Sequence, residues 1–139
     1  MTKHVSRDAV RRIEVPKFAS DSGCITVFDR ADIIPFDIAR VFVVRADEGQ
    51  KRGSHAHRQC AQFLTCLNGA CDVVCDDGEG RVSFRLEDPS VALLIPPSIW
   101  AEQTYLENNT SLIVLCDQSY DEADYIRDYD DFLKWKNGQ

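Results

Sequence analysis

The sequence predicts a mostly β domain, a sandwich or barrel, with one helix at its C-terminal end. Short runs rich in β-branched and aromatic residues recur at near-regular spacing from Cys24 onwards. Gly-rich turns separate them, and Asn68-Gly69 is the strongest short hairpin signal among these. After Asp121 the pattern turns helical, with an acidic first turn followed by Ile126, Tyr129, Phe132 and Leu133.

Taken in order, residues 1–23 hold a weak pattern, Ile13, Val15 and Phe18 around Pro16, closed by a Ser20-Asp-Ser-Gly23 turn. A short strand follows over Cys24 to Phe28. The next is Asp37 to Arg45, with Arg40, Phe42 and Val44 on one face and Val41, Val43 and Arg45 on the other. A polar loop, Asp47 to Gly53, delivers the chain to His55. Gln62 to Leu67 and Ala70 to Cys75 flank the Asn68-Gly69 hairpin turn, and Asp76-Asp-Gly-Glu-Gly80 turns the chain again. Val82, Phe84 and Leu86 alternate with polar residues, as in a half-buried strand. Val91 to Ile95 is wholly apolar, Pro96-Pro97 breaks it, and Trp100 to Leu106 and Ser111 to Cys116 complete the set. The β-structure is thus expected over about 24–117 and the helix over about 121–135, in one domain spanning 1–139.

Composition excludes several classes. A net charge of −7 argues against a nucleic-acid binder, although a few converging arginines suffice for a diphosphate. No apolar run reaches the length of a membrane span, and the first residues lack the apolar centre of a signal peptide, so a cytoplasmic protein is expected. The six cysteines include no Cys-x-x-Cys pair, and most sit in apolar runs, so they read as free thiols of the core.

Two of the three histidines, His55 and His57, stand two residues apart. In an extended chain they share a face, so two groups titrating near pH ~6.5 address one space. Such a pair either ligates a metal or moves protons.

Gly49, His55, His57, Gln62 and Gly69 match, position for position, the first motif of the cupin superfamily: Gly, five residues, His-x-His, three or four residues, Glu, six residues, Gly. Here Gln62 stands where the family usually has Glu. The resemblance implies a small jelly-roll barrel whose cavity is lined by these strands. The second cupin motif, which normally supplies a third histidine, corresponds to Pro96-Pro-Ser-Ile-Trp-Ala101, with alanine at the ligand position. Two imidazoles and an amide make too weak a set for a catalytic divalent ion, so no metal and no cofactor are expected.

Pro35-Phe-Asp-Ile-Ala-Arg-Val-Phe42, Arg52-Gly-Ser-His-Ala-His57, Pro97-Ser-Ile-Trp-Ala-Glu102 and Tyr120-Asp-Glu-Ala-Asp-Tyr-Ile-Arg-Asp-Tyr-Asp-Asp-Phe132 resemble the nucleotide-sugar 3,4-ketoisomerases. These are metal-free cupins acting on dTDP-4-keto-6-deoxy-D-glucose. The resemblance implies a homodimer with a dTDP-linked keto sugar as substrate. Phe42 replaces a tyrosine carried by many members, and Ala101 a histidine or arginine.

Moving a ketone from C4 to C3 through an enediol needs a base at C3, a proton for C4 and control of the oxygens, all within reach of histidine. His55 is expected as the main base and His57 as its partner. Arg40 and Arg52 are the candidates for the diphosphate or a sugar oxygen, and Gln62 for an imidazole or a sugar hydroxyl. Trp100 and Glu102 are placed at the mouth, although Trp100 reads more readily as packing than as a ligand contact and the acidic run Asp121 to Asp131 most simply as a solvated helix face. The alternatives are a non-catalytic sugar-binding or regulatory cupin, a related nucleotide-sugar epimerase and, against the missing ligands, a metal-dependent oxygenase.

Overall fold

The computed structural model describes residues 4–138. The strands are β1 (Arg11–Glu14), β2 (Lys17–Ser20), β3 (Gly23–Thr26), β4 (Arg40–Ala46), β5 (Lys51–His57), β6 (Gln62–Asn68), β7 (Cys71–Asp76), β8 (Arg81–Leu86), β9 (Val91–Ile95), β10 (Trp100–Tyr105), β11 (Thr110–Cys116) and β12 (Tyr125–Ile126). One helix, α1 (Tyr129–Lys136), follows. β1-β9-β6-β11-β4 form one sheet, β12-β5-β10-β7-β8 a second, and β2-β3 a separate hairpin. The mostly β class with a C-terminal helix is as the sequence predicts.

The two large sheets pack face to face. Leu64, Cys66, Leu93, Ile95, Leu112 and Val114 from the first meet Cys71, Val73, Cys75, Leu86 and Tyr105 from the second. The outer face of the first sheet is covered in turn, as Phe63, Ala92 and Leu115 pack under Val15 and Ile34 from the N-terminal segment. Strands β6 and β9 are therefore covered on both faces, which is why they read as apolar runs rather than as alternation. The outer face of the second sheet is closed by α1, with Ala56 and Trp100 against Ile126 and Phe132. β4 is an edge strand and keeps the predicted alternation: Phe42 and Val44 pack inward, while Val41 and Val43 are exposed.

Four boundaries differ from expectation. The β-structure begins at Arg11, well before residue 24, because β1 pairs with β9; its side chains are exposed apart from half-buried Ile13, so little period shows. Asn68-Gly69 is not a hairpin: β6 pairs with β9 and β11, and β7 with β8 and β10, so the turn carries the chain from one sheet to the other. Gly69 is needed there, with φ +81° and its Cα against Thr110, where any Cβ would overlap the threonine. β5 starts at Lys51, inside the stretch that reads as a polar loop. The helix starts at Tyr129 rather than near 121, capped by the Asp128 carboxylate accepting from the Asp131 N–H. Residues 122–124 form a 3-10 turn capped by Asp121, and β12 then pairs with β5, Tyr125 opposite His57 and Ile126 opposite Ala56. Ile126, Tyr129 and Leu133 pack into one cluster, and their i, i+3, i+7 spacing imitates one continuous helix across what is a strand, a turn and then α1.

Candidate active site

The histidines are aimed by a bulge. Along β10, Ala101 faces His55 and Glu102 faces Gly53, so Ser54 is an extra residue with no partner. Gly53 and Ser54 both take positive φ, 83° and 56°, the kink that such an insertion requires. Past it, His55 and His57 turn inward beside Ala101, while Ala56 turns out under α1. On the other side of the bulge Arg52 faces Gln103, two residues from Ala101 on the same face of β10. Arg52 is thereby brought to the histidine side, exposed at the rim.

The two rings stand edge to face with centroids 5.1 Å apart. Each has its Nδ1 tied to a group that can only accept: the Gly53 carbonyl oxygen at 3.1 Å from His55, and the Asp124 carboxylate at 2.9 Å from His57. Both Nδ1 atoms therefore carry the proton, and both Nε2 atoms carry a lone pair. His57 is 5 % exposed, and its Nε2 is buried without a hydrogen-bond partner. His55 is half-buried and stands nearer the opening. Asp124 is anchored by the N–H groups of Gln59 at 2.6 Å and Cys60 at 3.3 Å.

Burial, reinforced by the neighbouring His57, pushes His55 down to about 4. His57 is also lowered by burial, against the pull of Asp124. Both rings are neutral bases at physiological pH. An NMR titration of the ring protons is expected to show His55 neutral until about pH 4. The unfolded chain takes up that proton near ~6.5. Stability is therefore lost as pH falls between those values and is level above them.

Tyr125 lies across both rings, 5.0 Å from His55 and 4.3 Å from His57 between centroids. Its hydroxyl accepts from Arg40 Nη1 at 3.3 Å, and the Arg127 guanidinium covers its outer face at 4.2 Å. Arg40 reaches this point from the opposite sheet, and its Nε is buried and unpartnered. Gln62 lines the same small cavity with Cys60, Ile95, Pro96, Ile99 and Ala101, but its amide donates to Cys116 Sγ at 3.6 Å rather than to an imidazole.

The cavity does not fit a cupin metal. Beside the two imidazoles and the Cys60 thiol it offers an amide, and at the third-histidine position a methyl group, with Asp124 already engaged by His57 and two backbone N–H groups. His57, Cys60 and Asp124 do gather within 4.8 Å, but one carboxylate oxygen of that trio already accepts the imidazole proton.

His55, His57, Gln62 and Arg40 are thus brought together, with Arg52 at the rim. Trp100 and Glu102 are not. Ala101 faces the cavity, so its two neighbours face away; the Trp100 indole donates to Glu102 at 2.8 Å and packs on Tyr129 and Phe132. Asp124 and Tyr125 are the residues that sequence reasoning missed. They lie in the run read as a solvated helix face, and the available signal was the Tyr120 to Phe132 stretch itself.

Comparisons with known proteins show the family. A family model described as FdtA: WxcM-like, C-terminal, matches residues 8–137. A TDP-4-oxo-6-deoxy-alpha-D-glucose-3,4-oxoisomerase from Aneurinibacillus thermoaerophilus is 37% identical over 124 residues, 88% of this chain and 89% of that one. The crystal structure of QdtA, a sugar 3,4-ketoisomerase from Thermoanaerobacterium thermosaccharolyticum in complex with TDP, superposes with a TM-score of 0.90 at 34% identity, covering 96% of this chain and 98% of that one. A 3,4-ketoisomerase from Helicobacter canadensis follows with a TM-score of 0.89 at 30% identity, covering 93% and 98%. The chain belongs to the FdtA family (WxcM-like, C-terminal), alongside the TDP-sugar 3,4-oxoisomerase it matches over most of its length.

Proposed function

We propose that this protein moves the ketone of TDP-4-keto-6-deoxy-D-glucose from C4 to C3 through an enediol, by histidine acid–base chemistry and without a metal. One observation carries the reading: two neutral imidazoles in one cavity, each with Nδ1 tied down and Nε2 left basic. His55, on the open side, takes the C3 proton on Nε2, exchanges it with solvent and delivers a solvent proton to C4. His57 accepts the 3-hydroxyl proton and passes it to the 4-oxygen, and Asp124 stabilises the imidazolium that forms between those steps. Arg40, with an Nε that has no other partner, faces the oxyanion of the enediolate. The oxoisomerase of Aneurinibacillus carries this activity in its name, and the Thermoanaerobacterium enzyme has been crystallised with TDP and, as a histidine-to-asparagine mutant, with TDP-4-keto-6-deoxyglucose.

Arg52 at the rim suits the diphosphate, since guanidinium forks match such anions. Its replacement by alanine is expected to raise the Kd for TDP by about 10–100-fold, the equivalent of a charge-assisted hydrogen bond, with saturated turnover little changed. Calorimetry beside steady-state kinetics measures both. The six free cysteines, five of them buried, suit a reducing compartment such as the cytoplasm. No helix among the described residues is long and apolar enough to cross a membrane. Exposed Ile38, Val41 and Val43, at and just before edge strand β4, suit a homodimer contact. The test of the reaction is an NMR spectrum of the sugar after incubation: a ketone carbon at C3 supports it, and unchanged sugar with saturable binding makes the protein a binding module.

A further inference from the structure

The rim of the histidine cavity carries a guanidinium that the proton chemistry leaves without a role. Arg127 directly follows β12, whose register sets Tyr125 opposite His57 and Ile126 opposite Ala56. One step further along the same antiparallel pair brings Arg127 level with His55. Alternation puts its side chain on the face of Tyr125 and the histidines, while Ile126 turns out under α1. The contacts agree: the Arg127 guanidinium lies 4.2 Å over the Tyr125 ring, and that ring lies 5.0 Å from His55. Arg127 therefore stands exposed on the open side of the cavity, beside the half-buried base.

This guanidinium is oriented but not saturated. Its Nε lies 2.9 and 3.1 Å from the two Glu122 carboxylate oxygens, and its face rests on Tyr125. Nη1 and Nη2 hydrogen-bond to no described residue. A fork fixed at Nε and stacked on a ring, with both Nη groups open, is preorganised to take two oxygens of a phosphate. The tether to Glu122 is easily released, because the two side chains are 52% and 56% exposed and so open an ion pair adds little to stability. Stability alone gives no reason for such a pair to sit on the histidine face.

Charge at the rim also favours an anion. Arg40 reaches the Tyr125 hydroxyl from the facing sheet at 3.3 Å, and Arg52 lies past the bulge on the histidine side of β5. Asp124 has its charge engaged by His57 and two N–H groups. In a chain of net charge −7, positive charge gathers at this opening.

We propose that Arg127 is a substrate-binding residue: its Nη groups clasp the sugar-linked phosphate of the TDP diphosphate, and Glu122 holds the fork ready while the site is empty. The inference rests on the proposed isomerase reading for its ligand. Position decides which phosphate it takes. That phosphate is carried on C1 of the sugar, and only C2 lies between C1 and C3. A sugar with C3 at His55 Nε2 thus presents the phosphate to the residue level with His55. Arg52, beyond the bulge, is left for the phosphate next to the nucleoside. Holding the sugar-linked phosphate fixes where C3 falls, so Arg127 sets which carbon meets the base.

The test is calorimetry with TDP and with thymidine monophosphate (TMP), which lacks the second phosphate. Arg127→Ala is expected to raise the Kd for TDP at least ~10-fold and leave that for TMP within about threefold, because the lost fork meets oxygens only TDP carries. A structural role would not give this split, since loosening Tyr125 affects both ligands. Arg52→Ala is expected to weaken TDP and TMP alike. Glu122→Gln removes a competing charge but keeps an acceptor for Nε, so it should bind TDP at least as tightly as the parent. Equal weakening of both ligands in Arg127→Ala, an unchanged TDP affinity there, weaker TDP binding in Glu122→Gln, or Arg52→Ala losing TDP alone would each overturn the proposal. Those outcomes leave the isomerase reading standing, because the parent still binds TDP. A parent that binds neither nucleotide would overturn both.

Discussion

Replacing His55 with asparagine is expected to lower kcat by about 10²–10⁴-fold, the usual contribution of a positioned acid–base group, while the Kd for TDP stays within about threefold. Asparagine fills a similar volume and can still donate to the Gly53 carbonyl that now holds Nδ1 at 3.1 Å. What disappears is the Nε2 lone pair on the open side of the cavity. Loss of turnover without loss of nucleotide affinity separates a reacting group from a binding one. A variant with the parent rate would remove His55 from the proton transfer.

Asp124→Asn should cost about 10²-fold in kcat by a different route. The amide oxygen can still accept from one neighbour, but the charge that stabilises the His57 imidazolium is gone. The same carboxylate takes the N–H groups of Gln59 and Cys60, and an amide has only one accepting oxygen for these and His57. Asp124 is a positioning residue, so a further readout is needed beyond the rate. Asp124 raises the His57 pKa against burial. Removing the charge lowers that pKa further, and the acid limb of the pH–rate profile should move to lower pH. A rate loss with the acid limb unmoved would assign Asp124 to the fold alone.

The histidines were legible because extended spacing puts i and i+2 on one face, and the bulge at Gly53–Ser54 leaves that local relation intact. Arg40 was legible for the same reason, sharing the inward face of β4 with Phe42 and Val44. Trp100 and Glu102 were misplaced although the rule that corrects them is equally simple. Once Ala101 is given the cavity position, alternation turns both neighbours outward, where they hydrogen-bond to each other beneath α1. Asn68-Gly69 showed a bend but not its partner, because a turn signal is local and the choice between pairing and crossing to the second sheet depends on strands far along the chain. Asp124 stayed hidden for a similar reason. Its relation to His57 spans 67 residues and depends on β12 adding to the edge of β5, while Ile126, Tyr129 and Leu133 fall at a spacing that suits one helix equally well.

The proposed reaction rests on proton movement by the two imidazoles alone, and isotope placement reads that most directly. Chelator-treated protein is incubated with TDP-4-keto-6-deoxyglucose in deuterated water, and the product is examined by NMR and mass. The account predicts a ketone at C3, solvent deuterium at C4 and a rate equal to that of untreated protein. Deuterium at C3 and C5 with the ketone still at C4, or a rate lost on chelation and recovered with iron or manganese, would contradict it.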